Sequence, residues 1–301
     1  MKNSNLIKLF MIMFLFTCSY AEGSRVVKLS EKSVKNNVVY VKGESTPFTG
    51  KLQAGEIEQE YRNGIKDGLF KGKIKIDNTE YLYEGKYVEG IKHGPWVIKY
   101  VTGEKRAEIQ YNYDMPIGQW TYFSKDKKVE SYETFKDGVH SGPLVIYDNA
   151  GNVLTRANYR DGVLDGEVVF LHDKNALDII ANFKYGKLDG NVEMYSRNNN
   201  IQLEGSYLGD KRESLWKLYY TTGDLKVIVP YKNGLKTGKS IIYDKAGGVV
   251  QVSYFKDNNE VTASGELIKK AKPFKDGIVE KFKKFNANLE SLKINKALSE
   301  I

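Results

Sequence analysis

An aromatic residue followed three positions later by glycine, and seven later by a second glycine, recurs along most of this chain. It occurs as Tyr61-Gly64-Gly68, Tyr87-Gly90-Gly94, Phe135-Gly138-Gly142, Tyr159-Gly162-Gly166, Phe183-Gly186-Gly190 and Tyr231-Gly234-Gly238. Tyr111-Asp114-Gly118 and Tyr207-Asp210-Ser214 keep the register with altered turn residues, and Phe255-Asn258 continues it. From Tyr87 to Phe255 the aromatic anchors fall every 24 residues over seven intervals, which chance does not sustain. A fixed period of this length means a stack of like supersecondary units, each burying its face against its neighbours.

Each unit has a patterned second half. Two positions after the second glycine stands a bulky residue (Phe70, Trp96, Trp120, Leu144, Val168, Val192 or Trp216), followed by a further aromatic such as Tyr100, Tyr122, Tyr147 or Tyr219. A second turn signal then closes the unit, as in Thr102-Gly103, Ala150-Gly151 and Gly247-Gly248. Asn or Asp before the first glycine (Asn63, Asp137, Asp161, Asn233) marks a hairpin, because Asn-Gly and Asp-Gly accept the left-handed backbone of two-residue turns. Alternation such as Val153, Thr155, Ala157 and Tyr159 predicts short strands. The expected fold class is all-β: an elongated repeat array of antiparallel β-hairpins forming a single-layer twisted sheet. Two strands per unit, about 4.8 Å each, extend such a ribbon to roughly 90 Å. The second glycine is expected to leave room for a large aromatic of an adjoining strand. The turns at Asp114, Asp210, Ser214 and Asn258 are expected to be distorted.

The ends read differently. Lys2 and Lys8, the apolar run Leu9 to Thr17, and the small residues Ser19 and Ala21 predict a signal peptide over residues 1–21. Export follows, to the periplasm, the outer membrane or the medium. A competing reading takes Leu15-Phe16-Thr17-Cys18 as a loose lipobox acylated at Cys18, although Thr17 stands where a smaller residue is wanted. Cys18 is the single cysteine, so cleavage after Ala21 leaves no disulfide, thiol nucleophile or zinc–thiolate site. Loss of Lys2 and Lys8 lowers the formal charge from +8 to +6, a basicity that permits attraction to anionic lipid, polymers or acidic proteins. Residues 22–46 are expected to cap the stack, 47–260 to hold the repeats, and 261–301 to form a degenerate terminal repeat. There Phe274-Lys275-Asp276-Gly277 repeats the turn motif. A helix is the alternative, resting on the spacing of Ile278, Phe282, Phe285, Leu289 and Leu292.

Tyr159-Arg160-Asp161-Gly162-Val163-Leu164-Asp165-Gly166 and its relatives resemble MORN repeats. The spacing of Tyr147, Gly151, Tyr159, Gly162 and Gly166 is nearer to the bacterial variant labelled YwqK-type antitoxin than to the eukaryotic form. The resemblance covers most of the chain from about Pro47. It implies a scaffold or dimerisation surface, in some members a binder of anionic lipid headgroups. The antitoxin label implies an inhibitor of a partner protein.

Nothing in the chain assembles catalytic chemistry, and no enzyme activity or cofactor is expected. His93, His140 and His172 fall in or near different turns; regular stacking separates the first two by roughly 20 Å, too far for a shared metal. The glycines lack the strand–loop–helix setting of a phosphate-binding loop, and nucleic acid is not an expected partner. Two features are candidates for binding. One is the basic residue after the anchor, of which Lys136, Lys184 and Lys232 are the representatives; side-chain alternation turns it away from the aromatic face. The other is the set Trp96, Trp120 and Trp216, because a single-layer ladder cannot bury both of its faces; against this stands the reading that they are core between neighbouring units. The expected function is an exported scaffold for protein–protein interaction at the bacterial envelope. A binder of anionic lipid or surface polysaccharide is the alternative.

Overall fold

The computed structural model describes residues 25–172, 176–272 and 275–299. The expectations for the signal peptide and Cys18, and for Phe274, lie outside the described residues.

Twenty-four strands form one sheet in which successive strands pair antiparallel, from 50–54 with 57–62 through to 259–261 with 267–269. The exception is Val26–Lys28, which lies parallel to the strand at 50–54. The sheet is open, and the expected hairpin array is what forms. The turns explain why: Asn63 and Gly64 (φ 50° and 76°) and Asp137 and Gly138 (49° and 89°) take the left-handed pair of a type I′ hairpin, whose twist matches that of the strands. Each such turn also hydrogen-bonds its neighbour. The N–H groups of Gly138, Gly162 and Gly186 donate to the carbonyls of Pro116, His140 and Leu164, so the turns form a ladder along one edge.

Two expectations about the turn residues are corrected. Asp114, Asp210 and Asn258 are not distorted: they keep left-handed φ of 62°, 69° and 69°. Their side chains moreover accept the N–H groups of Lys92, Leu188 and Lys236 in the preceding turn, doubling the ladder bond there. The second glycine does not make room for an aromatic either: at Gly68, Gly142 and Gly190 a Cβ would crowd Glu60, Thr134 and Asn182 instead. A Cβ on Gly94 or Gly166 would meet nothing within 4 Å, and both have positive φ, as does Ser214 in the same register. Room for the indoles comes from glycines two residues before an anchor. A Cβ on Gly85 would lie 2.0 Å from Trp96, and one on Gly205 would lie 2.3 Å from Trp216.

Residues 32–35 and 38–41 form a small separate hairpin laid against the first unit, where the Val39 N–H donates to the Gly64 carbonyl at 2.9 Å. At the other end the degenerate repeat does not form. The chain makes two helices instead, α1 (Gly277–Ala287) and α2 (Glu290–Ser299). The Asp276-Gly277 pair that reads as a hairpin turn is an N-cap: Asp276 stays extended and its carboxylate accepts the Ile278 N–H at 3.1 Å. The tail, residues 276–299, folds back over the aromatic face. Ile278, Phe282 and Leu289 join one buried cluster with Tyr159, Phe183 and Tyr207; Ile294, Ala297 and Leu298 join another with Tyr87, Tyr111 and Phe135. No helix among the described residues is long and apolar enough to cross a membrane.

Candidate functional site

Strand alternation puts every anchor from Tyr61 to Tyr231 on one face, and all are buried. The tail lies along this face in a register that the anchors themselves set. Tyr207, Tyr159 and Tyr111 donate their hydroxyls to Asp276 Oδ2 at 2.8 Å, Asn286 Oδ1 at 2.6 Å and Asn295 Oδ1 at 2.9 Å. These are alternate anchors, and the ones between them are Phe183 and Phe135, which have no hydroxyl. Opposite Phe183 the tail places Phe282, edge-on at 4.9 Å. The Tyr/Phe alternation of the repeats and the polar/apolar alternation of the tail thus match. Burial pushes the three phenols well up from their ordinary value, so they remain donors across the accessible pH range.

Where α2 begins, Glu133 is the buried carboxylate of the face. The Ser291 hydroxyl and N–H donate to it at 2.6 and 3.3 Å, and His140 Nε2 lies 2.5 Å from its Oε2. A carboxylate at a helix start is favoured by the helix dipole. An acid, an imidazole and a serine hydroxyl standing together call for comparison with a hydrolytic triad. The arrangement differs from one, because carboxylate and hydroxyl both approach the same ring nitrogen, whereas a relay needs them on opposite nitrogens. Ser291 is also fully buried. The cluster ties the tail to the sheet, and the His140 ring is packed between Phe135 and Tyr159. Among the described residues no group of three or more His, Cys, Asp or Glu comes together to hold a metal.

A second row runs beside the anchors, five residues after each. At the two ends of the array it is cationic and each cation lies over the next anchor ring: Lys66 over Tyr87 (4.7 Å), Lys92 over Tyr111 (5.6 Å), Arg212 over Tyr231 (5.5 Å) and Lys236 over Phe255 (5.2 Å). In the middle the row reads Pro116, His140, Leu164 and Leu188. Arg212 marks the boundary and pairs with Asp276 at 2.8 Å.

Of the six residues singled out from sequence, Trp96, Trp120 and Trp216 are not an open surface. They are at most 2% exposed and pack among the anchor rings, in the same buried clusters as apolar residues of the tail. Lys136, Lys184 and Lys232 are exposed, each on the last residue before a two-residue turn. Two other members of that row, Arg62 and Arg160, are paired with Asp67 and Asp165. The residues that sequence reasoning missed are Asp276, Asn286, Ser291 and Asn295 on the tail, and Glu133 opposite them.

Two results are expected at this interface. Tyr159→Phe leaves the Asn286 carbonyl short of a donor and weakens tail docking by about 1 kcal/mol. Faster amide exchange in α1, with strand 153–160 unchanged, is the measurement. Asp276 supplies the second. Burial alone would raise its carboxyl, but bonds from Arg212, Tyr207 and the Ile278 N–H hold it below its ordinary 3.8. Its contribution to docking is complete above pH 3.8 and is lost as pH falls through the lower, folded value, so α1 exchange rises at acid pH and Asp276→Asn removes that rise.

Residues 212–233 match the family described as MORN repeat variant. That segment is one turn of the repeated unit, running from Arg212 past the anchor Tyr231, and the same register extends through the array. No curated protein matches the sequence. Among solved structures, choline binding protein F from Streptococcus pneumoniae, in the presence of a peptidoglycan analogue, is 14% identical over 79% of this chain and 98% of its own, with a TM-score of 0.20. Alternansucrase in complex with isomaltononaose is 12% identical over 75% of this chain, with a TM-score of 0.20. A GtfA/B complex bound to UDP and GlcNAc is 12% identical over 38% of this chain, at 0.18. The chain spans about a fifth of the length of these last two, 18% and 22%. At such scores the folds do not superpose, and what those proteins bind does not carry over.

Proposed function

We propose that this chain is an exported, non-enzymatic repeat scaffold that binds other proteins at the bacterial cell envelope through its aromatic face. One observation supports the reading above others: the face already holds a polypeptide, its own residues 276–299, by matched hydroxyls and rings. A surface with that chemistry is suited to protein segments, and past Tyr207 it continues without the tail's hydrogen bonds. Export rests on residues 1–21, and kinship with the YwqK-type variant rests on the repeat spacing.

A second reading, an anionic lipid or surface polysaccharide as ligand, is favoured by the ten lysines against four acids in residues 225–275. The two are separated by placing a photo-crosslinking amino acid at Gln251, exposed on the same face as Phe255 near the end of the sheet, in the full-length protein in its native cells. A discrete protein adduct is expected. Adducts with lipid or glycan alone overturn the protein-binding reading. Fractionation of the same cells tests export, and recovery only from the cytoplasm ends that part of the proposal.

A further inference from the structure

Tyr207 is the last anchor whose hydroxyl the tail engages, and it does so around a carboxylate. Asp276 Oδ2 accepts from the Tyr207 hydroxyl and from Arg212 Nε, both at 2.8 Å. Tyr207 and Arg212 are register partners across a hairpin turn. One 24-residue period further on, Tyr231 and Lys236 are register partners across the equivalent turn. The cation also sits equivalently over the next anchor, at 5.5 Å for Arg212 on Tyr231 and 5.2 Å for Lys236 on Phe255.

What the second unit lacks is the acid. Among the described residues no carboxylate lies within ion-pair distance of Lys236, and nothing hydrogen-bonds the Tyr231 hydroxyl, although Lys236 is half-buried and Tyr231 buried. The next anchor, Phe255, lies under Lys236 and is only half-buried, and Gln251 is exposed on the same face of the strand at 249–256. The surrounding lysine excess adds a field that draws negative charge.

We infer that Tyr231 and Lys236 form a carboxylate-binding site that takes an Asp or Glu side chain from an acidic, partly apolar segment of a partner protein. The inference rests on the protein-binding reading above and names the chemistry of the partner. Its template is a protein carboxylate held one repeat away by the same pair of groups, a phenol and a cation. The half-buried Phe255 ring beside the site selects a polypeptide over a polyuronate chain, which has no apolar side chains to place there.

The test is a fluorescence-anisotropy titration of the full chain with a fluorescein-labelled, glutamate-rich amphipathic peptide. Salt-sensitive binding is expected, weakened at least about tenfold by Lys236→Gln and about threefold by Tyr231→Phe. Lys42→Gln, an exposed lysine following the separate N-terminal hairpin, is expected to leave it unchanged. Tyr231→Phe removes one oxygen only, and an unchanged urea midpoint shows that a loss of binding is not a loss of fold. Equal affinity of both variants and the parent overturns the inference. So does binding of phosphatidylglycerol vesicles or polygalacturonate through these two residues when the peptide does not bind. If the Gln251 crosslink to protein persists in Lys236→Gln at full yield, the site is wrong and the protein-binding reading stands. If no protein adduct forms at all, that reading fails while the peptide titration still reports on the site.

Discussion

Gly85→Ala is expected to destabilise the protein by about 3 kcal/mol, the upper part of the range for overpacking a tight core. The added methyl would lie 2.0 Å from Cδ2 of Trp96, an indole with no exposed surface, flanked by Tyr83 and Tyr87. It has nowhere to move without displacing two further rings. The signature is steric rescue: Trp96→Leu, harmful alone, recovers part of the loss when combined with Gly85→Ala, and a double-mutant cycle on urea midpoints reads the coupling. Gly94→Ala behaves differently. Its Cβ meets open space, and the cost comes from a φ of 75°, so Gly94→Asn, which tolerates that backbone, recovers it and Trp96→Leu does not. Equal response of both glycines to Trp96→Leu contradicts this division.

His140→Leu is expected to cost about 3 kcal/mol, because it leaves a buried carboxylate without one of its partners. Glu133 is 2% exposed, and among the described residues Ser291 and His140 stand against its oxygens. If the expense lies in that carboxylate, Glu133→Gln in the His140→Leu background restores most of the stability, whereas loss of ring packing between Phe135 and Tyr159 is not restored. Amide exchange should show α2 opening before the sheet. An unchanged α2 with a lowered global midpoint means that the cluster does not hold the tail.

The array was legible because its signals are local and repeated. Asp161-Gly162 forms a two-residue turn for reasons contained in two residues, and the period then copies it along the chain. The tail was not legible by the same logic. Asp276-Gly277 has the composition of those turns but no following strand with a place in the ladder, so the dipeptide caps a helix. Open aromatic surface on the sheet, a non-local fact, decides what the spacing of Ile278, Phe282 and Phe285 becomes. One signal for the tail's seat was present in sequence: the anchors alternate Tyr111, Phe135, Tyr159, Phe183 and Tyr207, a second period of 48 residues laid over the first. The exposure of Lys136, Lys184 and Lys232 was legible from alternation. The burial of the tryptophans was legible as one of two readings, since the rings that cover them belong to neighbouring units of the same period.

The Tyr111 hydroxyl bonds Asn295, 184 positions later. A repeat array ordinarily folds as a zipper, each unit needing only its neighbour. Here the early aromatic clusters wait for residues 276–299 before their core is complete. The folding barrier therefore includes closing a loop of nearly two hundred residues, a contact order far above that of the ladder alone. A nascent chain lacking its final helices keeps rings exposed in every unit from Tyr111 to Tyr207. Truncation at the C-terminus is thus felt at the opposite end of the molecule, where no residue has been removed.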